Sequence, residues 1–344
     1  MIVDDSTSVN LYKALHAAAA LAAAAGDHRR KVMLSERSNF PTDLYIAESI
    51  AHAHGLELRL IEADEIAANL DATTAILMLT HVHYRSGRMH DMAAITALAH
   101  AAGAVVVWDL AHSAGAVPVA LRDADADFAV GCGYKYLNGG PGAPAFVWAH
   151  PKHTARMDRE QWRQPLSGWL GHAAPFEFSS AYRPAAGIRR FVCGTPPVLS
   201  MTALDCGLDV FGEAQRSYGG LAALREKSLA LGDEFIARVE RRCAGHGLEL
   251  ASPRERALRG SQVSVARAEG GYAIMQALIA RGVIGDFRAG DPTAPRPTPD
   301  LLRFGFTPLY TRHVDVYDAV EHLAAVLETG EWREARFNTR SAVT

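Results

Sequence analysis

The stretch Val105-Val-Val-Trp-Asp-Leu-Ala-His-Ser-Ala-Gly-Ala116 decides the reading of this chain, together with Gly131-Cys-Gly-Tyr-Lys-Tyr-Leu-Asn-Gly-Gly140. Val105 to Trp108 is an apolar run of β-branched and aromatic residues, the composition of a strand buried on both faces. It ends in an acid, Asp109, and a polar turn with His112 and Ser113 follows. Phe128 to Val130 is a second apolar run, ending in Gly-Cys-Gly and then Tyr134-Lys135. Open α/β sheets bind ligands at the carboxyl ends of their strands. Asp109 and Lys135 are therefore expected at one edge. Each has an ordinary reading by itself: Asp109 as a helix cap, Lys135 as a surface lysine in a turn. As a pair they meet the demands of pyridoxal 5'-phosphate (PLP). A lysine amine condenses with the cofactor aldehyde, and an acid keeps the pyridine nitrogen protonated so that the ring accepts electrons.

Outward from this centre the pattern repeats. Met1-Ile-Val reads as the end of a strand, and an alanine-rich helix begins near Ser8. Thr7 and Ser8 could add hydroxyl donors to a helix start that attracts phosphate; the alternative is a plain N-cap by Ser6 or Ser8. Asp4 and Asp5 stand where a secretory leader would be basic, and the Ala14–Ala25 run is too short to span a membrane. Lys31 to Ser35 reads as a strand, followed by Phe40-Pro41-Thr42-Asp43 and a helix from Leu44 to His54. Phe40, extended before Pro41, could stack on a flat cofactor, or it could be a hydrophobic staple with Asp43 as a cap. Strands are expected at Leu56–Ile61, Ala75–Leu79 (closed by Thr80 to Gly87) and Ala145–Trp148, and a helix at Met92–Ala102. Alternating strands and helices with short turns predict a mostly parallel sheet with helices on both faces.

From Pro151 to Pro197 the periodicity weakens into an aromatic, basic stretch, the composition of functional loops or oligomer contacts. Cys193 is expected in a strand there. Helices follow at Leu199–Phe211 and Leu221–Cys243, then strands near Leu248 and at Gln262–Ala266, a helix at Tyr272–Arg281, a proline-rich loop at Ala289–Pro299 and a strand at Leu301–Gly305. The last helix, Val314–Glu328, is amphipathic, and the polar tail from Asn338 is expected to fray. The predicted fold class is α/β: a large domain over 1–212 and a smaller α+β C-terminal domain over 213–344.

Composition narrows the function classes. The 344 residues are 49% hydrophobic and 21% charged, with net charge −3. This is an ordinary globular balance, with no charge signal for nucleic acid or an anionic membrane as partner. Four scattered cysteines without a CxxC pair suit a reducing cytoplasm better than a zinc site or a disulfide framework. His81 and His83 could share a strand face, but a loop edge is the simpler reading, and no metal is expected. No GxGxxG follows a strand, which disfavours a nicotinamide enzyme.

Taken in order, Thr7-Ser-Val-Asn10, Phe40-Pro-Thr-Asp43, Thr80 to Gly87, Asp109-Leu-Ala-His112, Tyr134-Lys-Tyr-Leu-Asn138, Gly168-Trp-Leu-Gly-His172, Gly194-Thr-Pro-Pro197 and Arg303-Phe-Gly-Phe-Thr-Pro-Leu-Tyr310 resemble bacterial kynureninase over nearly the whole chain. The resemblance implies a fold-type I PLP enzyme, a cytoplasmic homodimer with sites at the subunit interface. The implied reaction is hydrolysis of L-kynurenine, or 3-hydroxykynurenine, to anthranilate or its 3-hydroxy form and L-alanine, in tryptophan breakdown or NAD precursor supply. By match to the family's motifs, Lys135 would hold the cofactor and act as base, and Tyr134 would be a proton donor. Asp109 would pair with the pyridine nitrogen, and His112 would lie beside the cofactor. Phe40 would stack on the ring, with Pro41, Thr42 and Asp43 near it. Thr7, Ser8, Thr80 and Tyr134 would serve the phosphate, and Trp169 and Thr195 would come from the other subunit. Arg303 would hold the substrate α-carboxylate, and Gly194-Thr195 would set the preference for kynurenine. Family members carry a segment before the Thr-Ser-Val-Asn motif, whereas this chain begins almost at it, so an inactive PLP-binding remnant is one alternative. Another fold-type I enzyme, a cysteine desulfurase or class V aminotransferase, is the other; a desulfurase would need a mobile cysteine, with Cys193 and Cys206 as candidates.

Overall fold

Every residue of the strands Thr74–Thr80, Phe128–Cys132 and Ala145–Ala149 is buried, because the sheet they form is covered on both faces. The structure is a computed structural model describing residues 1–339; the far end of the predicted polar tail lies outside the described residues. The chain divides into two compact units, Met1–His81 with His90–Gly212, and Val82–Met89 with Glu213–Thr344.

The first unit runs β1 (Ile2–Val3), α1 (Thr7–Ala24), β2 (Val32–Glu36), α2 (Pro41–His54), β3 (Glu57–Ile61), α3 (Ile66–Asn69), β4 (Thr74–Thr80), α4 (Met92–Ala102), β5 (Val105–Asp109), β6 (Phe128–Cys132), β7 (Ala145–Ala149), α5 (Pro151–Glu160) and most of α6 (Val198–Tyr218). Its seven strands lie in the order β1-β7-β6-β5-β4-β2-β3. All neighbours pair in parallel except at β7, which opposes both β1 and β6. Alternate side chains of each strand enter opposite layers. Val107, Phe128 and Val130 join Leu11, Leu15 and Ala18 of α1 on one face. Val106 and Trp108 join Met92 and Ala99 of α4 on the other. The alanine run of α1 is thus a packing surface, small enough for the helix to lie close against the sheet.

Three expectations need correction. Pro151–Glu160 is a helix, not an irregular stretch. Pro151 starts it, the His150 ring accepts from the Lys152 N–H, and only Met157 is buried, so no apolar period betrayed it. Cys193 is not in a strand but in the loop after a 3-10 turn, Gly187–Phe191. The Leu199–Phe211 helix extends to Tyr218, where Gly219 at φ 82° ends it.

The second unit contains α7 (Gly220–Arg242), β8 (Glu249–Leu250), β9 (Gln262–Arg267), α8 (Gly271–Ala280), β10 (Asp286–Arg288), β11 (Asp300–Gly305), α9 (His313–Thr329) and α10 (Ala335–Asn338). The strands form an antiparallel sheet in the order β10-β11-β9-β8. Phe235, Ile274, Leu278, Leu302, Val320 and Leu323 are among the residues that fill its core. The segment 82–89 is held here by its own carbonyls. Gln262 donates to those of His83 and Tyr84, Ser264 to Arg85, and Ser252 to Ser86.

Candidate active site

Strand register gathers the chemistry of the first unit at one sheet edge. Thr80 pairs with Asp109, Asp109 with Val130, and Cys132 with Ala145. The residues that follow β4, β5 and β6 therefore emerge side by side. The turn after β5 passes under the turn after β6 at Gly115, whose φ is +81° and where a Cβ would come within 2.7 Å of the Tyr136 carbonyl. That close approach sets His112 against Lys135, with Nε2 and Nζ 3.0 Å apart. The ammonium also lies 6.0 Å from the Phe40 ring centroid and 5.8 Å from that of Tyr134.

Asp109 is 4% exposed. Its Oδ1 accepts the Ala111 N–H at 2.8 Å, and Oδ2 accepts the Thr80 hydroxyl at 3.4 Å. Burial raises its pKa, against the opposing pull of Lys135 and these donors. Asp43, in the first turn of α2, is pushed well above the carboxylate range by burial and by the Asp109 charge. Its Oδ2 is buried with no hydrogen-bond partner. Two carboxyls confined together cannot both ionise cheaply, so Asp43 holds the proton and Asp109 is the anion. Tyr134 is pushed up to about 12, first by burial and then by Cys132, so it is a neutral donor at any ordinary pH.

The group implied by these residues fits them. A protonated ring nitrogen is a cation that this buried pair of acids could hold, with Asp43 Oδ2 still without a hydrogen-bond partner. Phe40, which caps α2 from φ −58° and is 41% exposed, offers an aromatic face beside Lys135. At the other end, Ser6 rather than Ser8 caps α1 and accepts the Val9 N–H. Thr7 is then the first helical residue, and its hydroxyl is buried without a partner, as an oxyanion donor would be before its ligand arrives.

Pro41 and Thr42, between Phe40 and Asp43, open α2, with Pro41 at its first position. Trp169 starts a 3-10 turn, is 42% exposed and meets Phe176 edge-on at 5.8 Å. Gly194 and Thr195 lie in the loop before α6, Thr195 exposed. Arg303 belongs to β11 of the second unit, where Nη1 donates to the Tyr84 carbonyl and Nη2 pairs with Asp286. The sequence reading missed Asn39, which is 2% exposed and accepts from the Thr80 hydroxyl. Its only signal was a place between Glu36 and Phe40. It also missed Asp286 and Arg288, on a strand of three residues.

Comparison with known proteins adds to this geometry. Residues 224–323 match the family model described as kynureninase C-terminal domain. A kynureninase of Pseudomonas fluorescens is 51% identical over 347 residues, an alignment covering 100% of this chain and 78% of the relative. A cysteine desulfurase from Thermococcus onnurineus NA1 has the same fold, with TM-score 0.77 at 17% identity, over 95% of this chain and 79% of that one. So has a C-DES mutant solved with glycine covalently linked to its PLP cofactor, with TM-score 0.77 at 17% identity, over 94% and 80% of the two chains.

Proposed function

The chain belongs to the kynureninase family, and from that premise we infer that it is a PLP-dependent hydrolase cleaving L-kynurenine to anthranilate and L-alanine. The observation that carries the reading is the cluster at the carboxyl edge of β4, β5 and β6. There Lys135 meets His112 at 3.0 Å above the buried Asp43–Asp109 pair. The desulfurase reading is not favoured: the likeness to that enzyme is one of fold, and Cys193 Sγ is tucked against the Leu166 carbonyl at 2.9 Å.

Bound PLP supplies an aldehyde that takes up the substrate amine and a protonated ring that draws electrons from the substrate's α-carbon. The chain's own groups do the rest. Asp109, backed by Asp43, would hold the proton on the ring nitrogen. Phe40 would stack on the ring, with Pro41 and Thr42 in the turn beside it, and Thr7 and Ser8 would donate to the phosphate. Thr80, expected there as well, instead spends its hydroxyl on Asn39 and Asp109, at the ring-nitrogen end. Arg303 takes the substrate carboxylate with a planar fork. The Lys135 amine removes the α-proton, and His112 fixes that amine. Water then adds to the substrate's γ-carbonyl, the β–γ bond breaks, and anthranilate departs. Tyr134, still protonated, delivers a proton to the β-carbon left behind.

A homodimer in the cytoplasm is part of the same proposal. Trp169, Phe176 and Phe178 are 42%, 74% and 80% exposed. They form a contiguous aromatic run of the kind a subunit contact covers, which would carry Trp169, Gly194 and Thr195 toward a partner's site. The four cysteines are free thiols, in keeping with a reducing compartment. No helix among the described residues is long and apolar enough to cross a membrane. The small, neutral Gly194-Thr195 favours kynurenine over 3-hydroxykynurenine.

The test is an absorbance spectrum of the PLP-loaded chain followed by addition of L-kynurenine. An absorbance band lost in Lys135→Ala, with anthranilate fluorescence growing in the wild type, is the expected result. A band without anthranilate would refute the substrate. No band would refute the cofactor site.

A further inference from the structure

The β10–β11 pairing sets Asp286 directly across from Arg303. Arg288, two residues along the same strand, shares the face of Asp286. The three side chains form a line. Arg303 Nη2 pairs with Asp286 Oδ2, and Asp286 Oδ1 lies 3.1 Å from Arg288 Nη2. The Arg303 side chain is only 10% exposed, against 32% for Arg288 and 36% for Asp286. Two acceptors, Asp286 and the Tyr84 carbonyl, anchor Arg303. A guanidinium has five N–H donors, so Arg303 keeps a donor face for a ligand.

One charge does not fit a two-residue reading. An aspartate on Arg303 alone would fix the guanidinium but cancel its charge, and a substrate carboxylate would meet a neutral pair. Arg288 restores the balance. With it, the line carries two positive charges against one negative. The terminal nitrogens of Arg85 are spent on the carbonyls of Ala289 and Pro299, so that residue ties the segment 82–89 to the loop instead of anchoring Asp286.

We propose that Arg288 is a specificity-determining residue for the substrate carboxylate, acting through Asp286: Asp286 positions Arg303, and Arg288 offsets the charge that this positioning would otherwise cost. The proposal rests on the assignment of Arg303 to the carboxylate. Acting through Asp286 and Arg303, Arg288 is on this proposal a positioning residue and not a catalytic one. Its effect is selective for ligands that carry a negative charge at that place.

The experiment compares kcat/KM for L-kynurenine and for its α-carboxamide, using the PLP-loaded full chain. The ratio isolates the carboxylate, because a general loss of packing lowers both rates together. In Arg288→Gln the preference for the carboxylate should fall about tenfold, mostly through KM for L-kynurenine, with the absorbance of the bound cofactor unchanged. Arg288→Lys should restore most of it. Arg303→Gln should lower the preference roughly a hundredfold. If Arg303→Gln removes the preference and Arg288→Gln leaves it intact, this proposal is overturned and the Arg303 assignment stands. If Arg303→Gln leaves it intact, both fall. Should Arg288→Gln not fold, Arg288→Met, which keeps the length of the side chain, carries the same comparison.

Discussion

At the scale of single residues the site is a set of proton positions. Tyr134 keeps its proton because burial and Cys132 push its pKa up to about 12. A tyrosine so placed does not titrate within the working range, so the pH–rate profile should show no alkaline limb from it below about pH 11. On the proposed role of Tyr134 as proton donor, Tyr134→Phe should lower kcat roughly a hundredfold while KM changes little, because that proton would be needed only after the substrate is bound. Stopped-flow and steady-state rates across pH would check both statements. A large rise in KM instead would mean that the hydroxyl binds substrate. Asp43 calls for a different measurement. If it is the protonated member of its pair, Asp43→Asn preserves the neutral partner and should bind PLP with nearly wild-type affinity. Asp109→Asn removes the anion proposed to face the ring nitrogen and should lower kcat by at least roughly a hundredfold. Equal effects of the two substitutions would contradict this division of roles. Part of this arrangement was legible in the chain: Asp109, His112 and Lys135 could be singled out because each follows an apolar run, and the structure brings His112 and Lys135 within 3.0 Å of each other. Asn39 was not, because a buried asparagine that receives a hydroxyl has no pattern of its own.

Among elements, the opposite edge of the large sheet holds a second ionic cluster. Asp127, just before β6, accepts the Val106 N–H and His100 Nε2, both at 2.8 Å, and His153 Nε2 at 2.6 Å. Lys152 stands 3.3 Å away, and Asp125 faces His100, His150 and Lys152. The cluster ties α4, β5, β6 and α5 together. Burial alone would raise the Asp127 pKa, but the hydrogen bonds from His100, His153 and Val106 outweigh it and hold the carboxyl well below the ordinary range. His100 moves the other way, raised chiefly by its bond to Asp127. The signs differ accordingly. The Asp127 contribution is present above the unfolded carboxylate pKa and is lost as pH falls through its depressed folded value. The His100 contribution is full below the unfolded histidine pKa, about 6.5, and is lost as pH rises through its raised folded value. Asp127→Ala should destabilise the fold by about 2–4 kcal/mol by stranding buried donors. It should also flatten the change in Tm between about pH 6 and pH 8. Thermal melts at the two pH values would show it, and an unchanged slope would remove the cluster from the account. None of this was visible beforehand. His100 and His153 lie on helices, and α5 carries too little apolar surface to announce itself.

For the molecule as a whole, the parallel part of the large sheet follows from a repeated local rule. Apolar runs alternate with helices from β1 to β5, and β4, β5 and β6 bring their ends to one edge, whereas β7 runs antiparallel and ends at the other. That rule was readable along 1–132. It failed where structure depends on partners distant in sequence, as for the three-residue β10 and the segment 82–89. The exposed run of Trp169, Phe176 and Phe178 belongs to this scale too. Phe176→Glu combined with Phe178→Glu should shift sedimentation from a dimer toward a monomer and lower activity in parallel. An unchanged mass would move the subunit contact elsewhere.

The segment 82–89 has a further consequence. The chain passes from one unit to the other after His81, returns before His90, and crosses again after Gly212. A single cut near residue 212 therefore does not release a portable module. A fragment beginning at Glu213 would leave Gln262, Ser252 and Ser264 without the carbonyls they serve, and Arg303 without Tyr84. The units that hold Lys135 and Arg303 are thus joined by three chain crossings. Recombination between relatives would have to exchange the short stitch after β4 along with the C-terminal third, or inherit a seam that does not match.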